Sequence, residues 1–293
     1  MEYFPSSVIL AGGGEFRISI ASKKDLPELK DLYSGAFGRQ ELFGINTEEE
    51  FEGFKTNLEK RIEDETHSWV ISRALSRELA TSTSFEELKG EEVVVDDFTQ
   101  THPDYRGLGL MQKIFGKILP IIKKLNYAVE GESVLTEFSR SLRYAWIKEN
   151  GALCTGIKPN IVDTSYGRFS HLITPIYPTS VLPGKAVIIP QLKDLFEIVA
   201  DQIKLEPPKL VDLHIINGNS RPKVNEYSEV IVGGSDLAQQ GISYEQGFRP
   251  VWYDPLRNRF GMAKFSNGFK LDFLAQEGIE AADKLLKYIK NLN

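Results

Sequence analysis

The sequence predicts an α/β fold of the α+β type in which helices flank a sheet, with a smaller α/β domain at the C-terminal end. Segments of alternating apolar residues, typical of strands, occur between segments with the apolar spacing of helices. Residues 174–185 contain three prolines and a glycine, which favours a linker. A chain of 293 residues is long enough for one large domain or two ordinary ones. We therefore predict domains at 1–178 and 179–293.

The first domain is predicted to begin with a strand, because Phe16, Ile18 and Ile20 alternate along residues 15–22. The later strands are expected at 67–75, 78–88, 91–101, 127–135, 152–162 and 169–177. The helices are expected at 23–38, 47–64, 111–125 and 139–151. Pro120 removes a backbone donor from the third helix, so we expect that helix to kink or end there.

The second domain is predicted to be a smaller α/β region. Its helices are expected near 191–204, after Ser235 as a possible N-cap, and at the end of the chain, where apolar residues from Ile279 to Ile289 share one face. Its strands are expected near 210–216 and 228–233, followed by a hairpin that turns near Asp254.

Composition excludes several classes of protein. A net charge of -6 and a pI near 5.5 argue against a nucleic-acid binder, which needs a broad basic face. The longest apolar runs are too short for a membrane span. The single cysteine, Cys154, is expected in the core and indicates a reducing, cytoplasmic environment. The histidines lack metal-ligand spacing, so no metal site is expected.

One short segment carries the functional signal. In "THPDYRGLGLMQKIF", Arg106, Gly107 and Gly109 lie between a valine-rich strand and an amphipathic helix. Such a turn brings backbone N–H groups close to an anion. Two alternatives stay open. The segment is an ordinary solvated turn, or it is a dinucleotide-binding motif in which Gln112 replaces the third glycine and Glu130 supplies the acid.

This segment resembles the acyl-CoA-binding motif of the GNAT superfamily of N-acyltransferases. The motif has Arg or Gln, two residues, Gly, one residue, and then Gly or Ala. The residues that match it are Arg106, Gly107, Leu108, Gly109 and Leu110. Met111 stands at the last position and departs from the motif. The resemblance covers residues 15–175 in the order of elements, but its specific part is the loop alone.

The resemblance implies a mixed, mostly antiparallel twisted sheet flanked by helices, with acetyl-CoA or another acyl-CoA as co-substrate and no metal. The pyrophosphate would be bound by the loop residues Arg106, Gly107, Leu108, Gly109, Leu110 and Met111. Strand 95–101 would splay from strand 127–135, with the pantetheine arm in the gap. The arm would bind backbone groups of Phe98, Thr99, Gln100 and Thr101, and one N–H there would hold the oxyanion of the reaction.

The resemblance also requires a base and allows an acid. Asp97 and Glu132 are candidate bases, because each lies on a strand that flanks the gap; alternatively, both are solvated carboxylates. The family's frequent acid is a tyrosine four residues before the glycine that ends the second helix, a position held here by Ile147. Tyr144, on the same helical face, either substitutes for it or is a packed tyrosine.

The C-terminal region contains "SYEQGFRPVWYDP", which echoes "WIKENGALCTGI" in the first domain. We therefore expect residues 186–293 to be a truncated GNAT-like unit without its own coenzyme loop. It either forms a wall of the acceptor site or mediates association, as in a homodimer. The predicted activity is transfer of an acyl group to an amine of a small molecule or lysine by direct attack. The alternative is a non-catalytic acyl-CoA-binding or interaction module.

Overall fold

The computed structural model describes residues 7–41, 48–64, 66–135, 139–164, 167–178, 185–212, 227–265 and 278–292. The chain forms two compact units, one made of residues 1–132 with 162–167 and the other of 133–161 with 168–293. The predicted boundary at 178/179 adjoins residues 179–184, which lie outside the described residues, and it stays a prediction.

A mixed, mostly antiparallel sheet forms the first unit. Its strands are β1 (Ser7–Ala11), β2 (Gly14–Ile20), β3 (His67–Ala74), β4 (Leu79–Leu88), β5 (Val93–Thr101) and β6 (Ala128–Val134). They lie side by side in chain order, and each neighbouring pair is antiparallel except β5 and β6, which are parallel. The predicted fold class is therefore confirmed. The edge strand β1 was not predicted.

Helices flank this sheet. They are α1 (Leu26–Glu41), preceded by a short 3-10 turn, α2 (Glu48–Glu63) and α3 (Leu110–Lys124). Apolar residues of α1 and α2 pack with Trp69 and Ile71 of β3 in one core cluster. Of the two outcomes expected at Pro120, a kink or an end of α3, the end is wrong, because the helix continues to Lys124. Leu119 and Ile122 are buried on either side of the proline, and their packing compensates for the lost hydrogen bond.

The second unit has a sheet in the order β8 (Gly167–Ile173), β7 (Gly156–Thr164), β12 (Arg249–Asp254), β13 (Arg259–Phe265) and β11 (Tyr227–Gly233). A separate parallel pair joins β9 (Val187–Ile188) to β10 (Lys209–Leu210). Its helices are α4 (Arg140–Lys148), α5 (Lys193–Ile203), α6 (Leu237–Glu245) and α7 (Glu280–Lys290). The strand expected near 210–216 lies mostly outside the described residues.

One core explains why this unit includes α4, β7 and β8, which the sequence assigned to the first domain. Cys154, Ile157 and Leu172 lie in the same buried cluster as apolar residues of α5 and α7. Cys154 is fully buried, as predicted. The N-cap of α6 is not Ser235 but Asp236, whose carboxylate accepts a hydrogen bond from the amide of Gln239 at 3.0 Å.

Two glycine substitutions test the packing of the fold. A Cβ on Gly156 would overlap the backbone and Cβ of Trp252, whereas a Cβ on Gly116, exposed in α3, would meet no atom within 4 Å. Gly156→Ala is expected to lower the free energy of unfolding by about 1–3 kcal/mol. Gly116→Ala is expected to raise it by up to about 1 kcal/mol, because alanine favours the helix. Urea unfolding of both variants measures the difference, and equal stabilities would contradict the packing described.

Candidate functional site

The loop before α3 has the backbone that its glycines were expected to allow. Gly107 has a φ of +77° and Gly109 a φ of +71°, both in the left-handed region that glycine adopts without a steric penalty. Gly109 is the N-cap of α3. The chain therefore turns sharply into the helix at Gly109.

The amides of Gly107, Leu108, Gly109, Leu110 and Met111 have no hydrogen-bond acceptor in the part of the chain that the structure describes. The amide of Arg106, by contrast, donates to the carbonyl of Pro103 at 3.2 Å. Of the six loop residues predicted to bind the pyrophosphate, five therefore have an amide without an acceptor among the described residues. Unpaired N–H groups at the N-terminus of a 15-residue helix form a site that favours an anion.

The hairpin of β1 and β2 packs against this loop. Gly12, in the turn between β1 and β2, lies against the side chain of Leu108, and a Cβ on Gly12 would overlap that side chain. Phe16 of β2 meets the ring of Tyr105 edge-on, with 5.6 Å between the ring centroids. The hydroxyl of Tyr105 donates to Glu78 at 2.6 Å. Gly12 is thus part of a packed turn.

The parallel strands β5 and β6 pair only over their first halves. Their register runs from Val93 and Ala128 to Asp96 and Gly131, and within the described residues the ladder ends there. The next residues are Asp97 on β5 and Glu132, which is exposed, on β6. These two predicted carboxylates therefore follow the last rung of the ladder, where the resemblance implied a gap.

A β-bulge lies just beyond that rung. On β4, Ser82 pairs with Gln100 and Ser84 pairs with Asp97, so Phe98 and Thr99 together face a single residue, Thr83. Phe98 has a φ of +50°, an uncommon conformation for a bulky residue. Such an outlier persists only where its surroundings hold it.

Both backbone groups of Phe98 have partners. Its N–H donates to Oδ1 of Asp97 at 2.9 Å, and its carbonyl accepts a hydrogen bond from the hydroxyl of Tyr33 on α1. Tyr33 is fully buried, and this burial raises the pKa of its hydroxyl above its ordinary value, so the group remains a donor. The predicted binding of pantetheine to the N–H of Phe98 would therefore require the side chain of Asp97 to move.

Arg61 of α2 completes the group of side chains around the bulge. Its Nη1 lies 2.8 Å from Oδ2 of Asp97, and its Cζ lies 4.7 Å from the centroid of the Phe98 ring. Trp69 stacks on the same ring, with the centroids 6.0 Å apart. The positions of Tyr33, Arg61 and Trp69 beside the bulge were not predicted from the sequence, because none of these residues is close to the loop motif along the chain.

Asp96 is a further carboxyl that the sequence analysis missed. Burial raises the pKa of Asp96 to about 7, although hydrogen bonds from Thr83 and Thr99 oppose the increase. The two hydroxyls lie 2.8 Å and 3.3 Å from Oδ1 of Asp96. A carboxyl with such a pKa can both accept and release a proton near neutral pH, and it lies at the last rung between β5 and β6.

The other predicted site residues lie on β5, β6 and α4. Gln100 and Thr101 continue the ladder between β5 and β4. Tyr144 lies on α4 in the second unit and is exposed over 49% of its surface. Ile147, at the position of the family's tyrosine, packs against the core of the second unit. The roles assigned to Glu132 and Tyr144 stay predictions.

The described residues contain neither a helix that could cross a membrane nor a group of side chains arranged to hold a metal ion. No helix among them has the length and apolar character needed to cross a membrane. No group of three or more His, Cys, Asp or Glu residues in the same part of the chain is arranged to hold a metal ion.

Neither a family model nor a curated protein matches this chain. Among solved structures, it is similar to the ribosomal-protein-S18-alanine N-acetyltransferase from Escherichia coli, with 15% identity and a TM-score of 0.44 over 55% of this chain and 93% of that one. It is also similar to spermidine N-acetyltransferase from Vibrio cholerae in complex with CoA and spermine, with 12% identity and a TM-score of 0.47 over 56% of this chain and 96% of that one. At these values the likeness carries no information on activity or substrate.

The contact between the hairpin and the loop can be tested with a matched pair of variants. Gly12 and Gly13 have φ values of +56° and +81°, so alanine at either position carries strain of about 1 kcal/mol or more. Only at Gly12 does the new Cβ also displace Leu108. Gly12→Ala is therefore expected to loosen the loop and to speed tryptic cleavage after Arg106, compared with Gly13→Ala. Equal cleavage rates would show that the hairpin does not support the loop.

Proposed function

We propose that the chain is an N-acyltransferase of the GNAT type, which transfers an acyl group, most simply acetyl, from an acyl-CoA to an amine. One observation carries the proposal. Five consecutive amides at the N-terminus of α3 have no acceptor within the described residues, and two of them belong to glycines with positive φ. A pyrophosphate has the charge that such a row of donors favours.

The coenzyme then has a defined direction along the sheet. With its pyrophosphate on the loop, the pantetheine arm would extend beside β5, past Thr101 and toward the bulge at Phe98. The thioester would reach the point at which β5 and β6 stop pairing. An N–H group of the bulge would hold the oxyanion of the tetrahedral intermediate, a contact that is commonly worth about 3 kcal/mol.

The reaction needs a group that accepts the proton of the attacking amine. As the amine forms its N–C bond, the C–S bond breaks and the thiolate leaves, while the ammonium proton passes to a carboxylate. We assign this step to Asp96, with Glu132 as the second candidate. Both oxygens of Asp97 already accept hydrogen bonds, one from Arg61 and one from Phe98, which makes it the weaker candidate. Tyr144 as the acid remains a prediction.

The alternative function is a non-catalytic acyl-CoA-binding module. A specific observation favours it, since the N–H of Phe98 already has a carboxylate partner. Release of free thiol from acetyl-CoA in the presence of a panel of amines separates the two functions. Turnover supports the transferase, whereas binding without turnover on any amine supports the module.

The proposal extends to the acceptor, the compartment and the second unit. The acceptor is an amine of a small molecule or a lysine, and the compartment is the cytoplasm. The second unit is a truncated GNAT-like unit without its own coenzyme loop, which forms a wall of the acceptor site or mediates homodimer formation. A crystal structure with coenzyme A bound and analytical ultracentrifugation address these points directly.

The loop assignment can be tested with two glycines of similar backbone conformation. Gly109→Asp places a carboxylate among the five amides, and Gly90→Asp places the same charge in the turn before β5, where φ is +83° and the space is open. Gly109→Asp is expected to weaken coenzyme A binding by at least about tenfold, because a hydrogen bond to a charged group contributes about 1.5–3 kcal/mol. Gly90→Asp should bind normally. Isothermal titration calorimetry gives both affinities, and unchanged binding by Gly109→Asp would remove the assignment.

The proton acceptor can be identified from the pH dependence of kcat/KM. Asp96 accepts a proton only when ionised, so with a pKa of about 7 its contribution should rise as the pH increases through 7. Asp96→Asn should remove this rising limb of the pH profile and lower kcat/KM by about 100-fold or more. Glu132→Gln should keep it. The opposite result would assign the base to Glu132, and a limb present in both variants would exclude each of them.

A further inference from the structure

We propose that Asp97 blocks the N–H of Phe98 and that Arg61 holds it in that position, so that the structure shows the acyl-transfer site in a closed state. The inference rests on the proposed function, because the blocked N–H belongs to the bulge that would hold the oxyanion. In the open state, the side chain of Asp97 turns away and the oxygen of the thioester takes its place on the N–H. Asp97 and Arg61 are thus positioning residues that control this donor.

The carboxylate of Asp97 spans the two groups that define the closed state. Oδ1 accepts from the N–H of Phe98 at 2.9 Å, and Oδ2 lies 2.8 Å from Nη1 of Arg61. Arg61 also lies over the ring of Phe98, 4.7 Å from its centroid. The guanidinium therefore contacts both the carboxylate and the residue whose amide the carboxylate covers.

The N–H of Phe98 is oriented independently of Asp97. Tyr33 donates to the carbonyl of Phe98, and the ring of Phe98 packs against Tyr33 and Trp69. These contacts hold the bulge in its left-handed conformation, with φ at +50°. Rotation of the Asp97 side chain would therefore free an N–H whose direction stays set, as electrostatic stabilisation of an oxyanion requires.

An oxyanion would compete with Asp97 for the same reason that Asp97 binds there. The N–H of Phe98 is occupied by a negatively charged oxygen, and the tetrahedral intermediate would offer another. The side chains of Arg61 and Asp97 are 26% and 40% exposed, so their ion pair lies within reach of solvent. Exposed pairs of this kind are weak, which allows the closed state to open.

The blocking role that we propose for Asp97 differs from the role as a base that the sequence suggested. If Asp97 accepts the proton of the amine, its removal abolishes transfer. If Asp97 blocks the donor, its removal leaves the N–H permanently open and allows water to react in place of the amine. In that side reaction the water oxygen bonds to the acyl carbon, the C–S bond breaks, and the water proton balances the thiolate, which gives a carboxylic acid and coenzyme A.

The test uses the full-length protein and acetyl-CoA. Asp97→Ala is expected to raise the rate of thiol release without an amine by about tenfold or more, as the loss of a charged hydrogen-bond partner implies. Arg61→Gln should raise it by up to about fivefold, the factor that corresponds to an exposed ion pair. Asp97→Asn keeps an oxygen near the N–H but loses the ion pair, so it should resemble Arg61→Gln and serves if Asp97→Ala unfolds.

The matched control is Lys23→Gln, which removes another ion pair to α2, that between Lys23 and Glu63 at 2.6 Å, and should leave the rate unchanged. Loss of transfer in Asp97→Ala without added thiol release, or unchanged thiol release in all Asp97 and Arg61 variants, would overturn the closed state. Failure of the wild-type protein to bind coenzyme A in calorimetry would instead remove the proposed function.

Discussion

The left-handed backbone of Phe98 is the constraint on which the candidate site depends. A strand that carries two residues opposite one bends away from its neighbour, and β5 stops pairing with β6 at Asp96, two residues before Phe98. The conformation is costly for an aromatic residue, and the buried hydroxyl of Tyr33 offsets that cost by binding the carbonyl of Phe98. The hydroxyl of Tyr33 thus joins helix α1 to the bulge, next to the point at which β5 and β6 stop pairing.

The loop before α3 satisfies a different constraint, because it must leave amides unpaired while keeping them in place. Gly107 and Gly109 provide the turn, but glycines alone would leave the loop mobile. The hairpin between β1 and β2 supplies the missing rigidity, since Gly12 has no side chain and lets Leu108 pack against its backbone. Glycines in the left-handed region, Gly12 on one side and Gly107 and Gly109 on the other, therefore flank the contact with Leu108.

The features that could be predicted from the sequence are those that residues close together in the chain determine. Most helices and strands of the first unit have apolar periodicities of their own, and the glycine loop has a short motif, so both could be predicted. Tyr33, Arg61 and Asp96 could not, because their roles come from pairing across strands and from packing between elements far apart in the chain. Nothing near Asp96 signals that its carboxyl will be buried between Thr83 and Thr99. Of the kink or end expected at Pro120, the end did not occur, since tertiary packing outweighed a local preference and α3 continues to Lys124.

Asp96 and Asp97 show how neighbouring residues of one type acquire different chemistry. Successive side chains of a strand point to opposite faces, so one carboxyl meets Thr83 and Thr99 while the next meets Arg61. Neutral hydroxyls cannot compensate fully for burial of a charge, and the pKa of Asp96 rises to about 7. Asp97, in contrast, accepts hydrogen bonds from the guanidinium of Arg61 and from the amide of Phe98. Under the proposed function, Asp96 would take the proton of the amine and Asp97 would control the N–H of Phe98, so that two adjacent aspartates would divide these roles between them.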